Sequence, residues 1–417
     1  MKLNPLLLCV LAVAACAPKA GEYQLPEPSD VVMYQINPRV FAAENSFDAV
    51  GEQLDSISNL GVNVLWFMPL YPIGEVNTVN SPYCIKDYRG VNPEFGTVDS
   101  FKSLIDQSHS RGLSVIIDWV ANHTSWDSQW ISDHPDWYTQ NEDGEIICPE
   151  GTGWLDVADL NFDNAEMRLA MIEDMKYWVN EAGVDGFRCD AADFVPFDFW
   201  KQALDSLRAI PGKKLLMLAE GQRPDHFDAG FDMNYAWQYF GTMHKVYDDT
   251  LSVTALIKAD SLEYAPLAEG KIKLRFTSNH DEAAKNSTLT DFDGPDGAIA
   301  AYVASTFIHG GALIYGSQEV GYPEPINFFH YVAVDWTSNP ELREAYKTAV
   351  AVYNAHPALR KGSLETYPDD NVLMFDRTFE DDAVFVAVNM RNEMSTVANP
   401  HGGELTLAPY EYKVIEL

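Results

Sequence analysis

Three acidic residues each follow a short apolar run. Asp190 ends the segment VDGFRCD, Glu220 ends LLMLAE and Asp281 ends FTSNHD. A short apolar run predicts a buried strand, so each acid is expected where a strand ends. Two carboxyl groups flanking an acetal bond are what the cleavage of a glycoside requires. The three acids therefore predict one site for glycoside cleavage, assembled from distant parts of the chain.

A fourth segment has the same form. Asp118 ends LSVIID, and Asn122 and His123 follow shortly after it. A parallel barrel carries its chemistry at the carboxyl ends of its strands. Four strand ends that bear Asp, Glu, His and Arg side chains therefore indicate a barrel of this kind.

The elements that would position these side chains alternate between strand and helix patterns. This alternation predicts an α/β fold, the (β/α)₈ TIM barrel. The eight predicted strands are 31–36, 62–67, 113–118, 184–190, 215–220, 230–234, 271–276 and 312–315. Helices are predicted at 101–110 and 165–181, the second with Asn164 as N-cap and Gly183 near its end.

Two stretches interrupt the alternation. Residues 122–161 are rich in Trp, Asp, Gly and Pro and predict a short subdomain inserted after the third strand. Residues 356–417 have the period-two pattern of a small C-terminal antiparallel β-domain, with strands at 372–375, 383–388, 404–407 and 412–417. Residues 29–121 and 162–355 would then form the catalytic barrel.

Charge and composition narrow the classes of partner. The 417 residues have a formal net charge of −34 and an apolar share of 47%. Such a chain has a large core, and its acidity opposes binding to nucleic acid or to anionic lipid heads. A neutral substrate such as a sugar is compatible with this charge.

The N-terminus has the pattern of an export signal. Lys2 precedes the apolar stretch 6–13, which is too short to span a membrane. The following Ala14-Ala15-Cys16 resembles a bacterial lipobox, which implies a signal peptide at 1–15, lipid on Cys16 and a tether at 16–28. The lipid would be the chain's only membrane contact, at the outer membrane of a bacterium. The alternative is simple secretion with Cys16 incidental.

Three cysteines remain outside the signal, namely Cys84, Cys148 and Cys189. An odd number without paired spacing argues against a disulfide framework. A bridge between Cys84 and Cys148 stays open at this point.

The ordered set of motifs resembles glycoside hydrolase family 13, the α-amylase family, over nearly the whole mature chain. The matching segments, in the family's order, are GVNVLW with MP, DWVANH, DLN, GFRCD, AEG, NHD and IYGSQE. Any one of them is weak evidence. The resemblance implies the barrel fold and a retaining mechanism, with an α-glucan or maltooligosaccharide as substrate and no organic cofactor.

The resemblance also implies roles for individual residues. Asp190 would be the nucleophile, Glu220 the acid/base, and Asp281 the carboxylate that stabilises the distorted sugar. The residues implied to contact the substrate are Tyr83, Asp118, His123, Arg188, His280 and Asp193. Because Arg188 and Asp190 lie two residues apart on a strand, they share a face, and the cation would hold Asp190 ionised.

The chain departs from the family pattern beside the nucleophile. Asp193-Phe194 stand where family members with endo-amylase activity often have Lys-His. That cation helps to bind the leaving sugar, so the product profile is left open. Asn122 and Asp159 match the family's calcium ligands, and Ca²⁺ is left open as well.

Each residue also has a structural explanation. Asp118 could cap a helix, Arg188–Asp190 could be an ion pair, and the histidines could be satisfied core residues. The leading function is hydrolysis of α-1,4-linked glucans. The alternatives are a transglycosylase, an enzyme for α-1,6 bonds, sucrose or trehalose, and a non-catalytic glucan-binding lipoprotein. The oligomeric state is left open.

Overall fold

The structure is a computed structural model that describes residues 23–417. The predicted signal peptide, Cys16 and the first part of the tether lie outside the described residues. Within the described range, no helix has the length and apolarity needed to cross a membrane.

Eight parallel strands close into a barrel, as predicted. They are β1 (Val32–Ile36), β2 (Val64–Phe67), β3 (Ser114–Trp119), β6 (Gly186–Cys189), β7 (Leu216–Ala219), β8 (Met233–Tyr235), β9 (Ile272–Arg275) and β10 (Gly311–Tyr315). The order around the barrel is β1-β10-β9-β8-β7-β6-β3-β2. The (β/α)₈ prediction is confirmed, and all eight predicted strands are present.

The two faces of each strand enter two different cores. Trp66, Ile116, Leu218 and Leu274 belong to a cluster that fills the barrel, while alternate residues such as Phe187 pack against the surrounding helices. This is the two-residue alternation of a strand. The same alternation carries Asp118, Arg188 and the acids beyond the strand ends onto the inner face.

Gly186 is required where β6 approaches β7. A Cβ atom built on it would lie 1.9 Å from the carbonyl oxygen of Leu216, and its φ of 151° is unusual for other residues. The glycine therefore permits the close pairing of the two strands that carry Asp190 and Glu220.

The helices cover the barrel and connect its strands. They are α1 (Ser46–Ser58), α2 (Val98–His109), α3 (Gln129–Asp133), α4 (Ala165–Tyr177), α5 (Phe197–Arg208), α6 (His226–Ala229), α7 (Trp237–Tyr247), α8 (Thr254–Tyr264), α9 (His280–Ala283), α10 (Thr288–Asp291), α11 (Gly294–Thr306), α12 (Pro340–Ala355) and α13 (Pro357–Lys361). Short 3₁₀ turns are at Pro28–Asp30, Pro38–Val40, Pro135–Trp137 and Gln318–Val320, and a π-helical turn at Trp178–Ala182 extends α4.

Local sequence explains where α4 begins and ends. The Asn164 side chain accepts hydrogen bonds from the backbone N–H groups of Glu166 and Met167, which satisfies two orphan donors of the first turn. Gly183 follows the π-helical turn with a φ of 80°, a left-handed conformation suited to glycine. Both predicted boundary residues are confirmed.

The segment between β3 and α4 contains two short antiparallel strands, β4 (His123–Ser125) and β5 (Val157–Asp159). Their pairing places His123 opposite Asp159. Both ends of the inserted segment are therefore fixed beside the barrel mouth. The exact domain boundaries stay predictions.

The C-terminal region has more strands than predicted. They are β11 (Ser363–Tyr367), β12 (Val372–Phe379), β13 (Asp382–Asn389), β14 (Ser395–Ala398), β15 (Glu404–Leu407) and β16 (Tyr412–Glu416), in sheets of order β11-β12-β13-β16 and β14-β15. The sequence missed β11 and β14. β11 has no buried residue, and β14 is only four residues long, with Val397 as its single buried apolar side chain.

The three cysteines of the described range are free. The Cys84 thiol donates to the carbonyl oxygen of Asp156 at 3.2 Å. The bridge from Cys84 to Cys148 that the sequence left open is therefore not formed.

Candidate active site

Arg188 lies at the centre of the site and contacts three carboxylates. Its Nη1 atom is 2.7 Å from Asp118 Oδ1 and 2.9 Å from Asp190 Oδ1, and its Nη2 is 2.6 Å from Glu220 Oε1. The Arg188 side chain is fully buried. One guanidinium thus joins the ends of three adjacent strands.

The nucleophile candidate and the acid/base candidate are also joined through the backbone. The N–H of Ala191, the residue after Asp190, donates to Glu220 Oε2 at 2.7 Å. Ala191 has a φ of 43°, a conformation that residues other than glycine adopt at an energetic cost. This geometry aims its N–H at the Glu220 carboxylate.

The pKa of Asp190 differs from the sequence expectation. The ion pair with Arg188 forms as predicted, but burial and then the neighbouring Glu220 carboxylate raise the pKa of Asp190 well above its usual range. Arg188 opposes both effects and does not outweigh them. Three carboxylates around one cation leave the cluster with an excess of negative charge.

Asp118 lies below the cleft and is fully buried. Burial raises its pKa to about 6, although Arg188 lowers it. Trp66 Nε1 donates to Asp118 Oδ2 at 3.2 Å, and Tyr71 Oη donates to its backbone carbonyl at 2.9 Å. Asp118 therefore orients Arg188, and its side chain does not line the cleft.

A directed chain of hydrogen bonds runs across the cleft floor. Tyr83 Oη donates to Asp118 Oδ2 at 3.1 Å and lies 2.7 Å from His280 Nε2. Since the single Tyr83 proton goes to Asp118, His280 Nε2–H is the donor to Tyr83, and His280 Nδ1 accepts from Gln35 Nε2 at 2.8 Å. Burial and then Arg188 lower the pKa of His280 to about 3, so the ring is neutral, as this chain requires.

Asp281 and His123 also face the cleft. The side chain of Asp281 is 41% exposed, and its Oδ2 lies 3.4 Å from His280 Nε2. Asn279 caps the short helix α9 and fixes the Asp281 backbone. Burial lowers the pKa of His123 to about 4, and its ring packs edge-on against Trp154, with ring centroids 5.4 Å apart.

These side chains surround a cleft of about 420 Å³. Its lining residues are Val79, Ser81, Tyr83, His123, Gly153, Trp154, Asp156, Val157, Asp190, Ala191, Glu220, His280, Asp281, Phe328 and Phe329. Six of the nine predicted catalytic and substrate residues are among them. Asp118 and Arg188 support the floor from below.

Asp193 is the one predicted substrate residue that neither lines the cleft nor supports its floor. Its carboxylate accepts from the backbone N–H groups of Gln222 at 3.1 Å and Arg223 at 3.4 Å, and it is absent from the cleft lining. The expectation that Asp193 contacts the leaving sugar does not match this orientation. The adjacent Phe194 is 60% exposed and lies 5.8 Å from the Trp154 ring.

The sequence did not identify several residues of the site. Trp66 and Tyr235 flank the Arg188 guanidinium, with centroids 5.0 and 5.8 Å from its central carbon. Both residues lie on the inward face of a barrel strand, and this position could have identified them from the sequence. Phe328 and Phe329 follow β10 in an irregular segment, where no periodic pattern could have indicated them.

The calcium prediction can be compared with the geometry at β4 and β5. Asn122 lies beside His123, with 3.4 Å between Asn122 Nδ2 and His123 Nδ1, and burial raises the pKa of Asp159. Within residues 23–417, no group of three His, Cys, Asp or Glu residues could hold a metal. Ca²⁺ takes six to eight oxygen ligands, so one carboxylate and one amide are an incomplete set. Calcium binding stays a prediction. Isothermal titration calorimetry tests it, with CaCl₂ added to protein from which a chelator has removed metal ions.

The chain is similar to curated proteins along most of its length. It is 28% identical over 406 residues to "Alpha-amylase MalA" from Haloarcula japonica, an alignment that covers 92% of this chain and 59% of that protein. It is 26% identical over 376 residues to a cyclomaltodextrinase from Bacillus sp., covering 81% and 64%. The chain thus spans about three fifths of the length of these relatives.

A solved structure and a family model agree with these similarities. The crystal structure of an α-amylase from Lactobacillus plantarum matches with a TM-score of 0.85 and 27% identity, over 93% of this chain and 99% of that one. The model of the α-amylase catalytic domain matches residues 35–146 and 152–277. These segments make up more than half of the chain and include Asp118, Asp190 and Glu220. The chain therefore belongs to the α-amylase family.

Proposed function

We propose that the chain is a retaining α-glucan hydrolase that cleaves α-1,4-glucosidic bonds of starch or maltooligosaccharides. The contact of Asp190 and Glu220 with adjacent nitrogens of one guanidinium supports this proposal most directly. A planar guanidinium holds two such carboxylates side by side. A retaining mechanism requires a short separation, about 5 Å, whereas an inverting pair leaves room for a water molecule.

The reaction has two steps. Protonated Glu220 gives its proton to the glycosidic oxygen while Asp190 attacks the anomeric carbon, and the bond to the leaving sugar breaks. Glu220 then takes a proton from water, the water oxygen attacks the same carbon, and the bond to Asp190 breaks. Each step inverts the configuration, so the product retains it.

The charge of the cluster favours the transition state. The anomeric carbon becomes cationic as the bond breaks. Even with Glu220 protonated, the carboxylates of Asp118 and Asp190 share a single arginine, so the site has an excess of negative charge before the reaction begins. A preorganised negative site stabilises the transition state more than the neutral substrate, which is the condition for catalysis.

The relatives support an α-glucan as substrate. Two of them have names that refer to an amylase and a cyclomaltodextrinase. The chain is only 28% and 26% identical to these relatives and spans about three fifths of their length. Bond specificity is therefore determined by experiment.

Product analysis tests the proposal. The purified protein is incubated with starch, pullulan, maltotriose and sucrose, and the products are separated by chromatography. Maltooligosaccharides from starch support hydrolysis of α-1,4 bonds. Products longer than the maltotriose supplied would indicate transglycosylation. Release of glucose from sucrose, with no turnover of the other three substrates, would indicate a different substrate class. No turnover of any α-glucoside would leave the glucan-binding alternative.

We further propose that Cys16 is lipidated and anchors the chain to the outer membrane of a bacterium. The support is the sequence alone, namely a charged start, a short apolar stretch and cysteine at the required position. Cys16→Ala should move the protein from the membrane fraction to the soluble fraction. Retention of the variant in membranes would contradict lipidation.

A further inference from the structure

The carboxylate of Asp193 holds the backbone that follows the acid/base residue. Asp193 Oδ2 accepts from Gln222 N at 3.1 Å, and Oδ1 accepts from Arg223 N at a longer 3.4 Å. Hydrogen bonds from backbone N–H groups to a carboxylate are among the stronger ones in proteins. The buried His226 ring completes the contact, with its Nε2 atom 3.3 Å from Asp193 Oδ1.

Further hydrogen bonds join the same two loops. We call these two loops, residues 190–195 after β6 and residues 220–226 after β7, the loop clamp. Glu220 N donates to Cys189 O at 2.9 Å, and Ala192 N donates to Glu220 O at 3.0 Å, which continues the ladder between the strands. The Arg223 guanidinium donates back to the carbonyl oxygens of Asp193 at 3.0 Å and Val195 at 3.3 Å.

Gly221 shows how closely the loop clamp fits. A Cβ atom on Gly221 would lie 2.4 Å from Asp193 Oδ1 and 2.7 Å from an atom of the His226 ring. Such distances force a shift of the neighbouring groups. The residue after Glu220 is therefore small because the Asp193 carboxylate occupies the space beside it.

We propose that Asp193 is a positioning residue for the acid/base Glu220. It holds residues 221–223, and these hold the Glu220 carboxylate against the Ala191 N–H at 2.7 Å. The inference rests on the proposed function, because it assigns Asp193 a part in delivering the proton to the leaving group. A general acid acts only within hydrogen-bond reach of the atom it protonates, and a displacement of about 1 Å can lower the rate roughly a hundredfold.

The test separates protonation of the leaving group from binding of a leaving sugar. The ratio kcat/KM, which reports only the steps up to the glycosyl-enzyme, is measured on a series of aryl α-maltosides whose phenols differ in acidity. It is also measured on α-maltosyl fluoride, whose leaving group needs little protonation. Neither probe has a leaving sugar. The variants are Asp193→Asn, Asp193→Ala and Gly221→Ala. Gly221→Ala disturbs the contact with Asp193 without removing any side chain of the loop clamp. Asp198→Asn is the matched control, because the Asp198 side chain is 67% exposed and pairs with Arg168 on the protein surface.

We expect all three variants to keep the wild-type kcat/KM on the fluoride within about twofold, because kcat/KM does not include the second step, in which Glu220 acts as base. Their kcat/KM on the least acidic phenols should fall roughly tenfold to a hundredfold, so that the dependence of kcat/KM on phenol acidity becomes steeper. Asp198→Asn should match the wild type on every substrate. Turnover of the fluoride also shows that each variant has a folded site.

Other results overturn the inference. An unchanged dependence on phenol acidity, with loss only on maltooligosaccharides, would mean that Asp193 binds the leaving sugar. An equal loss on the fluoride and all aryl maltosides would mean a general structural role, and no change would mean no role. If the wild type turns over neither probe, the proposed function itself fails.

Discussion

Two buried arginines at barrel-strand ends have opposite roles. Arg188 at β6 points into the barrel and shares its charge among three carboxylates. Arg275 at β9 points outward to α8, where it pairs with Asp260 and, at 2.9 Å, with Glu263. The Tyr239 ring lies over the Arg275 guanidinium at 4.1 Å.

The two clusters differ in charge balance and access. Lys273 and Arg377 also act on the cluster at Arg275, and its acid Asp260 has a lowered pKa because His309 and Arg275 outweigh the opposing effect of burial. At Arg188, Asp118 and Asp190 have raised pKa values, and Asp190 and Glu220 border the cleft. A buried ion pair with balanced charge is structural, whereas a buried excess of carboxylates beside a cleft is typical of a catalytic site.

The largest expected effect is on kcat, which should depend on the cluster at Arg188 and not on the cluster at Arg275. Asp190→Asn should lower kcat by about 10⁴-fold or more, because it removes the nucleophile, and leave the fold intact. Asp260→Asn should keep the kcat of the folded protein and lower its melting temperature. Starch hydrolysis and circular dichroism measure both. Near-normal activity of Asp190→Asn would contradict the assigned nucleophile.

The second prediction concerns stability. Arg275→Met leaves Asp260 and Glu263 without their nearest cation, and breaking a buried pair costs about 3–5 kcal/mol of unfolding free energy. Urea denaturation measures that loss. Activity per folded molecule should be unchanged, since Arg275 faces away from the cleft. A stable Arg275→Met variant with reduced kcat would show that the two clusters are not separate.

The third prediction uses pH. The folded pKa of Asp118, about 6, lies above its unfolded value of 3.8, so the folded state binds this proton more tightly. The resulting stability is present below pH 4 and is lost as pH rises to about 6, which amounts to about 3 kcal/mol. Asp260 has the opposite sign, so its contribution is present above pH 4 and is lost as pH falls.

Unfolding free energies from pH 3 to pH 7 test these signs. Asp118→Asn should remove part of the decline between pH 4 and 6, and Asp260→Asn should remove part of the decline below pH 4. Identical pH profiles for both variants and the wild type would contradict the difference between the clusters.

The smallest expected effect concerns the aromatic side chains around each cluster. Phe194 is exposed beside Trp154 at the cleft, whereas Tyr239 is buried against Arg275. Pairs of aromatic rings are worth about 0.5–1.5 kcal/mol, and with a contribution of that size from Phe194 to sugar binding, Phe194→Ala should raise the KM for maltotetraose roughly twofold to tenfold. The melting temperature should not change. Phe197→Ala is the control, because Phe197 is also exposed but does not contact the Trp154 ring that lines the cleft.

Local sequence predicted much of the fold and of the site. The short apolar runs indicated all eight barrel strands, and the acids at their ends proved to surround one cleft. Strand alternation also determined that Arg188 faces the barrel axis, because inward residues of β6 lie in phase with Asp190. The segment around Phe328 has no such periodicity, so its contribution to the cleft could not be predicted.

The sequence by itself determined the strands, the acids at their ends and the family, because these depend on spacing along the chain. Only the tertiary structure decided how charge is distributed and where Asp193 points. Gln35 and His280 are 245 positions apart yet share a hydrogen bond, and the pKa of Asp190 depends on Glu220 from another strand. Burial and contacts between distant residues set these properties, and spacing along the chain contains neither.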